Sequence, residues 1–416
     1  MPTRILFLHN YYQQRGGEDE SFESEVRLLK SRGHDVVVHT VHNDAVDGMS
    51  RLALAATPVW SRASYGTVRA LLRQHRPDVL HCNNTFPLLS PSVYYAARAE
   101  GVPVVQHLRN YRLGCVNGLF FRDGHVCEDC LGARAPWRGV QHGCYRGSRA
   151  ASAAVAAMVA VHRAAHTWTT MVDTYVTMTE FAKDKLVQSG LPADRIVVKP
   201  NFLDPVPAVG SGSGGYAVFA GRLSSEKGLQ TLFEAWERLG GAIELKVIGD
   251  GPEAARVERA AAQVPGVSWL GRQPLERVHE LMGEARLVVF PSEWFETFGR
   301  VAMESFAMGT PVVAADIGAV AELVDHGRTG LRFRPGDPES LAEQVGWALA
   351  HPDAWQAMRA EVRREFEARF TADATYETMV RIYERVTARP AVAPARRAAA
   401  AVGRPYVAPP VAVRGV

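Results

Sequence analysis

No stretch of the 416-residue chain reaches the roughly 18–20 consecutive apolar residues of a membrane-spanning helix. The nearest, Ala150 to Val161, is Ala-rich, shorter and bracketed by Arg149 and Arg163. It reads as a core helix, with an interfacial helix as the alternative. No secretory leader is visible either: Met1 to Arg4 runs directly into ILFLHN, too short for an h-region and readable as a first strand. The expectation is a cytoplasmic protein with a peripheral contact at the inner face of the membrane. Charge of one sign is also lacking. With 47 basic and 44 acidic residues the net charge is +3, which gives no footprint for nucleic acid. Cysteine is scarce, five in all, and no Asp-x-Asp at a strand end argues for a catalytic divalent metal.

What the chain has is a long alternation of apolar runs and amphipathic segments. Its length is too great for one core and suits two domains. Apolar runs RILFLHN, DVVVHT, PDVLHC, VPVVQH, Tyr175 to Met178 and IVVKPN read as strands, with helical periodicity from Glu18 to Arg32 and after Thr179. PVPAVGSGSGG, residues 205–215, is a linker by composition. A second alternating set follows: YAVFAG, IELKVIG, VSWLG, LVVF, VVAA and GLRFR, separated by helices, with two more helices between Pro338 and Phe370. The expected fold is α/β, two doubly wound domains at 1–204 and 216–370 facing a central cleft, where such sheets bind ligands. A helix at 371–387 follows, and the Ala-, Pro- and Arg-rich tail from 388 to 416 reads as disordered.

The chemistry concentrates in PSEWFETFGRVAMESFAMG. It sets Glu296 and Glu304 eight residues apart around Gly299, after a buried strand. Amides of Phe298, Gly299 and Arg300 at a helix start suit an anion. If all eight steps were helical, the carboxylates would be roughly 12 Å apart along the axis, on the scale of a nucleotide-sugar. In AGRLSSEKG, Arg222 and Lys227 share one strand-to-helix loop. Both suit a diphosphate and the charge that develops on a leaving nucleoside diphosphate. Gly16 and Gly17 open a helix in the first half.

These segments, with VIGDGP and PGDPESLAEQV, resemble the second domain of glycosyltransferase family 4, retaining enzymes of the GT-B fold. The resemblance implies that Arg222 and Lys227 grip the donor diphosphate, that Glu296 binds sugar hydroxyls, and that Glu304 binds ribose. It implies that Gly16 and Gly17 lie against the phosphates and that His107, closing VPVVQH, faces the donor sugar. Arg109, Asn110 and Tyr111 are weaker candidates for substrate contact. It further implies a hexosyltransferase-type reaction with a UDP-, GDP- or ADP-sugar, base selection near Gly271 to Gln273, no cofactor required for catalysis, and a last helix crossing back to the first domain. The implied acceptor is a glycan, often lipid-linked, for surface polysaccharide. A nucleotide-sugar 2-epimerase on the same fold and a non-enzymatic binding protein are the alternatives.

One segment departs from the family. Residues 112–147 hold Cys115, Cys127, Cys130 and Cys144, four of the five cysteines. The Cys127-x2-Cys130 pair has knuckle spacing, and such a set suits a structural Zn²⁺. An iron–sulfur cluster, reduced thiols and, less favoured in a reducing compartment, disulfides are the other readings.

Overall fold

The computed structural model describes residues 2–388. Most of the tail assigned to disorder therefore lies outside the described residues. The first domain is built on a parallel sheet of β1 (Arg4–Tyr11), β2 (Asp35–His42), β3 (Val79–Asn84), β4 (Val104–His107), β7 (Thr174–Thr177) and β8 (Ile196–Val198). A two-stranded hairpin, β5 (Phe121–Arg122) with β6 (His125–Val126), is inserted between β4 and β7. The second domain carries β9 (Tyr216–Ala220), β10 (Glu244–Ile248), β11 (Val267–Trp269), β12 (Leu287–Phe290), β13 (Val312–Ala315) and β14 (Gly330–Phe333), again all parallel. Central strands are covered by helices on both faces, so their sequences are continuously apolar. Ile5 to Leu8 and Val312 to Ala314 are completely buried.

The strand orders decide where a ligand can sit. They are β2-β1-β3-β4-β7-β8 and β11-β10-β9-β12-β13-β14. Each order reverses once, between β1 and β3 in the first sheet and between β9 and β12 in the second. Loops leaving the carboxyl ends of adjacent strands at such a reversal diverge and open a crevice. Those loops carry Gly16 and Gly17 after β1, Arg222 and Lys227 after β9, and Glu296 after β12.

The helix Arg149–Ala164 packs Val155, Ala156, Met158 and Val159 into the first core, and no helix among the described residues is long and apolar enough to cross a membrane. Helices at Arg62–His75 and Ser92–Ala99, unassigned from sequence, cover the same face. The last helix, Ala372–Thr387, lies on the first domain rather than the second. Its Met379, Ile382, Tyr383 and Val386 form one stripe against Ile5, Phe7, Phe22 and Val79. The Tyr383 hydroxyl reaches His81 Nδ1 at 2.7 Å.

His81 is buried, and its Nε2 has no partner. Burial pushes its imidazole down to about 3, so it stays neutral. Tyr383→Phe would leave both ring nitrogens without a partner in a dry environment. The expected loss is about 1–3 kcal/mol, read as a lower urea midpoint; an unchanged midpoint would show that the bond contributes nothing.

Candidate active site

Nine residues of irregular chain, Pro291 to Gly299, link β12 to the helix Arg300–Ala307. Glu304 is therefore helical and Glu296 is not, so the eight-step helical spacing expected from sequence does not apply. Gly299 explains the break: it caps the helix at φ 101°, in the left-handed region where a side chain is strained. Phe298 turns into the core, edge-on to Phe370 with ring centroids 5.9 Å apart, leaving only its backbone toward the loop.

Glu296 is the most heavily organised carboxylate of the loop. Its Oε1 accepts from Lys227 Nζ at 2.5 Å, Trp294 Nε1 at 2.9 Å and Ser292 Oγ at 3.0 Å. The Lys227 ammonium also lies 5.3 Å from the Trp294 ring centroid. The loops after β9 and β12 touch because Gly228, at φ 68°, lets them: a Cβ there would sit 1.9 Å from the Pro291 carbonyl oxygen. Arg222 is exposed at the end of β9. Glu304 is nearly enclosed and accepts from Arg300 Nε at 2.7 Å. The Arg300 side chain also crosses the cleft, pairing with Glu20 at 2.8 Å and lying 3.4 Å from the Gly17 carbonyl. The structure thus brings Gly17, Arg300 and Glu304 into one group and Lys227 and Glu296 into another. A cavity of about 970 Å³ lies beside these, between the first helix and the linker; Arg300 lines it, while Arg222, Lys227 and Glu296 do not.

His107 is set deep among charged and polar neighbours. Its ring is fully enclosed, with Nδ1 3.2 Å from the Arg109 guanidinium and 3.7 Å from Glu25, and Nε2 without a partner. Burial, reinforced by Arg109, holds it well below the usual imidazole range and hence neutral. Arg109 is likewise drawn inward, donating to Asn83 (2.7 Å), Asn201 (2.7 Å) and Glu25 (2.8 Å). His107, Arg109 and Asn110 all border a small second cavity with Asn84, Phe86, Gln106 and Trp168, at the carboxyl edge of the first sheet. Tyr111 bridges domains: its hydroxyl donates to the Glu296 carbonyl at 3.0 Å.

Sequence reasoning missed a buried polar chain. Glu25 is completely buried, with Lys199 Nζ and Arg109 both at 2.8 Å. Arg109 fixes Asn83, whose amide donates to His9 Nδ1 at 2.9 Å. His9 Nε2–H is then the donor to Asp19 at 2.7 Å, and Asp19 accepts from the Gly16 amide at 3.1 Å. The glycine loop is thereby tied to the core. Glu25, His81 and His107 could by proximity be mistaken for a metal site. Two cations on the only carboxylate argue against a further cation there.

The four cysteines of the insertion line one small cavity with Arg122 and Arg138. All four are free thiols in this structure.

Comparison with known proteins agrees with this architecture. A family model described as glycosyl transferase 4-like domain matches residues 16–201, and one described as glycosyl transferases group 1 matches residues 214–351. Between them the two models cover most of the chain, and its fold is GT-B. The chain is 30% identical over 227 residues to an exopolysaccharide phosphotransferase of Streptomyces coelicolor, covering 52% of this chain and 24% of that one. It is 25% identical over 404 residues to a glycogen synthase of Mycobacterium tuberculosis, covering 84% and 86%. Several other curated relatives are matched over only 45 to 61% of their own length. In fold it is similar to Anabaena HepE, solved with UDP-glucose, at a TM-score of 0.64 and 18% identity, covering 91% and 98%.

Glu25 generates a pH prediction. Burial opposes its charge, but Lys199 and Arg109 outweigh burial and hold the carboxyl well below its ordinary value of 4.5. A depressed carboxylate contributes stability that is complete above the unfolded value and lost as pH falls through the folded one. Glu25→Gln should cost about 3–5 kcal/mol at neutral pH, since two cations are left buried without a counter-charge. In urea titrations the gap between variant and parent should close as pH falls below 4.5. A gap that stays constant down to pH ~3 would contradict the assignment.

Proposed function

We propose that this chain is a retaining glycosyltransferase of family 4 type, moving a hexosyl group from a nucleotide-sugar to a glycan acceptor. The observation that carries the reading is the Lys227–Glu296 pair, held at 2.5 Å where the loops at the second sheet's reversal meet, beside exposed Arg222. A cation and a carboxylate at one switch point suit a ligand with phosphate next to sugar hydroxyls. Three donors converge on Glu296 Oε1, so Oε2 is the oxygen left to accept from a donor-sugar hydroxyl. Arg300 must yield part of Glu304 for that carboxylate to take the ribose hydroxyls.

In the proposed step the acceptor hydroxyl oxygen bonds to the anomeric carbon on the face from which the phosphate departs. The bond from that carbon to the diphosphate oxygen breaks, and its electron pair leaves with the nucleoside diphosphate. The acceptor proton passes to the departing phosphate oxygen. Arg222 and Lys227 stabilise the charge that accumulates there, and Glu296 and Glu304 fix the donor. No metal or other cofactor is needed for this route. The similarity to an exopolysaccharide enzyme and the mildly basic pI of about 8.6 favour a lipid-linked acceptor in surface polysaccharide synthesis, reached at the inner face of the membrane.

Thermal shift against UDP-, GDP- and ADP-sugars should select one base. Release of nucleoside diphosphate should then depend on added acceptor. Arg222→Ala should keep the parent melting temperature and lower kcat by roughly 10²–10³. Turnover at the parent rate would remove Arg222 from the mechanism, and no stabilisation by any nucleotide-sugar would overturn the reading.

A further inference from the structure

We propose that Cys115, Cys127, Cys130 and Cys144 bind one structural Zn²⁺, which braces the insertion against the Glu296 loop of the opposite domain. The inference is independent of the reaction catalysed.

The insertion is more ordered than its own regular structure explains. Its hairpin has two residues per strand, far below what holds by itself in water. Yet Phe120 and Tyr111 are almost completely buried. A cross-link between the turn at Cys115, the Cys127–Cys130 knuckle and Cys144 would supply the missing constraint.

All four cysteines border one cavity of about 10 Å³, room for a single small guest. The Cys115 thiol donates to Asn117 Oδ1 at 2.9 Å, a bond that deprotonation on metal binding would give up. Four thiolates on Zn²⁺ leave a net charge of two negatives. The guanidinium-bearing side chains of Arg122 and Arg138 border the same cavity and offset it in part, since Asp129 borders it too and pairs with Arg122 at 3.3 Å. Among the described residues no three of these sulfurs lie within 4.8 Å of one another. Zn–S bonds of about 2.3 Å place tetrahedral ligands roughly 3.8 Å apart, so loading draws the side chains inward.

The consequence reaches the other domain. Tyr111, Cys115 and Phe120 form one apolar cluster with Phe295, and Tyr111 donates to the Glu296 carbonyl. A metal-locked insertion therefore fixes the two residues preceding Thr297 from the far side of the cleft.

The test uses the full chain purified without chelator. Metal analysis should find about one zinc per chain, lost in Cys127→Ser. Chelator-stripped protein should melt at a lower temperature and recover with Zn²⁺ but not with Mg²⁺. Because the serine variant can fail to fold, the intact stripped chain is also loaded with Co²⁺. Intense visible absorption of a tetrahedral site, with thiolate charge-transfer bands, is the expected result. A folded chain without zinc and without those cobalt bands overturns the proposal, and so does iron with labile sulfide in zinc's place.

Discussion

The whole carboxyl edge of the first sheet depends on one buried carboxylate. Glu25 comes from the first helix, Arg109 from the segment after β4, and Lys199 from the segment after β8, so three elements distant in sequence meet at one charge. A buried ion cluster stabilises a fold little better than apolar residues of the same volume would, and its loss is costly mainly because charges are stranded. Its value here is directional. The Arg109 guanidinium is a rigid fork whose arms also hold Asn83 and Asn201, and Asn83 in turn sets the tautomer of His9. His9 orients Asp19, and Asp19 holds the Gly16 amide. An apolar core of equal stability would leave the glycine loop untethered.

The two sheets are similar in architecture but are used differently. In the second, the candidate side chains sit on the loops themselves and pair with each other across the reversal. In the first, the loop after β1 offers mostly backbone, and the charged groups lie behind it. This division suits a donor gripped by one domain and roofed by the other.

Strands and the two-domain division were legible because fully covered parallel strands must be continuously apolar, and the breaks between them are Gly, Pro and Ser. Helices with a clean stripe, such as Leu229–Leu239 with Leu232, Phe233 and Trp236 inward, were legible for the same reason. Arg62–His75 was not, because it buries only Val68 and Leu72 and interrupts its pattern with Gly66. Lys227 and Glu296 could be found from their loops, since each follows an apolar strand directly. Glu25 could not be placed by residue type, which predicts exposure. Its one signal was position: it lies three residues after Phe22 and four before Leu29, on the inward stripe of its helix. Recognising it required a partner for the buried charge, and Lys199, in the middle of IVVKPN, was the candidate.

Domain closure and site assembly are the same event in this geometry. The Glu296 side chain is held by its own domain through Lys227, Ser292 and Trp294, while its carbonyl is held by Tyr111 of the other. Thr297 follows the same rule, its hydroxyl donating to the Arg109 carbonyl and its carbonyl accepting from Thr179. Glu322 of the second domain accepts from the Glu180 and Phe181 amides, placing a negative charge at the positive end of a first-domain helix. Opening the cleft would release the backbone of residues 296 and 297 but not the Lys227 pair. The carboxylate would keep its charge partner and lose its aim. On the proposed reading a nucleotide-sugar that contacts both domains would favour closure, so that ligand binding and alignment of Glu296 would reinforce one another through these few backbone bonds.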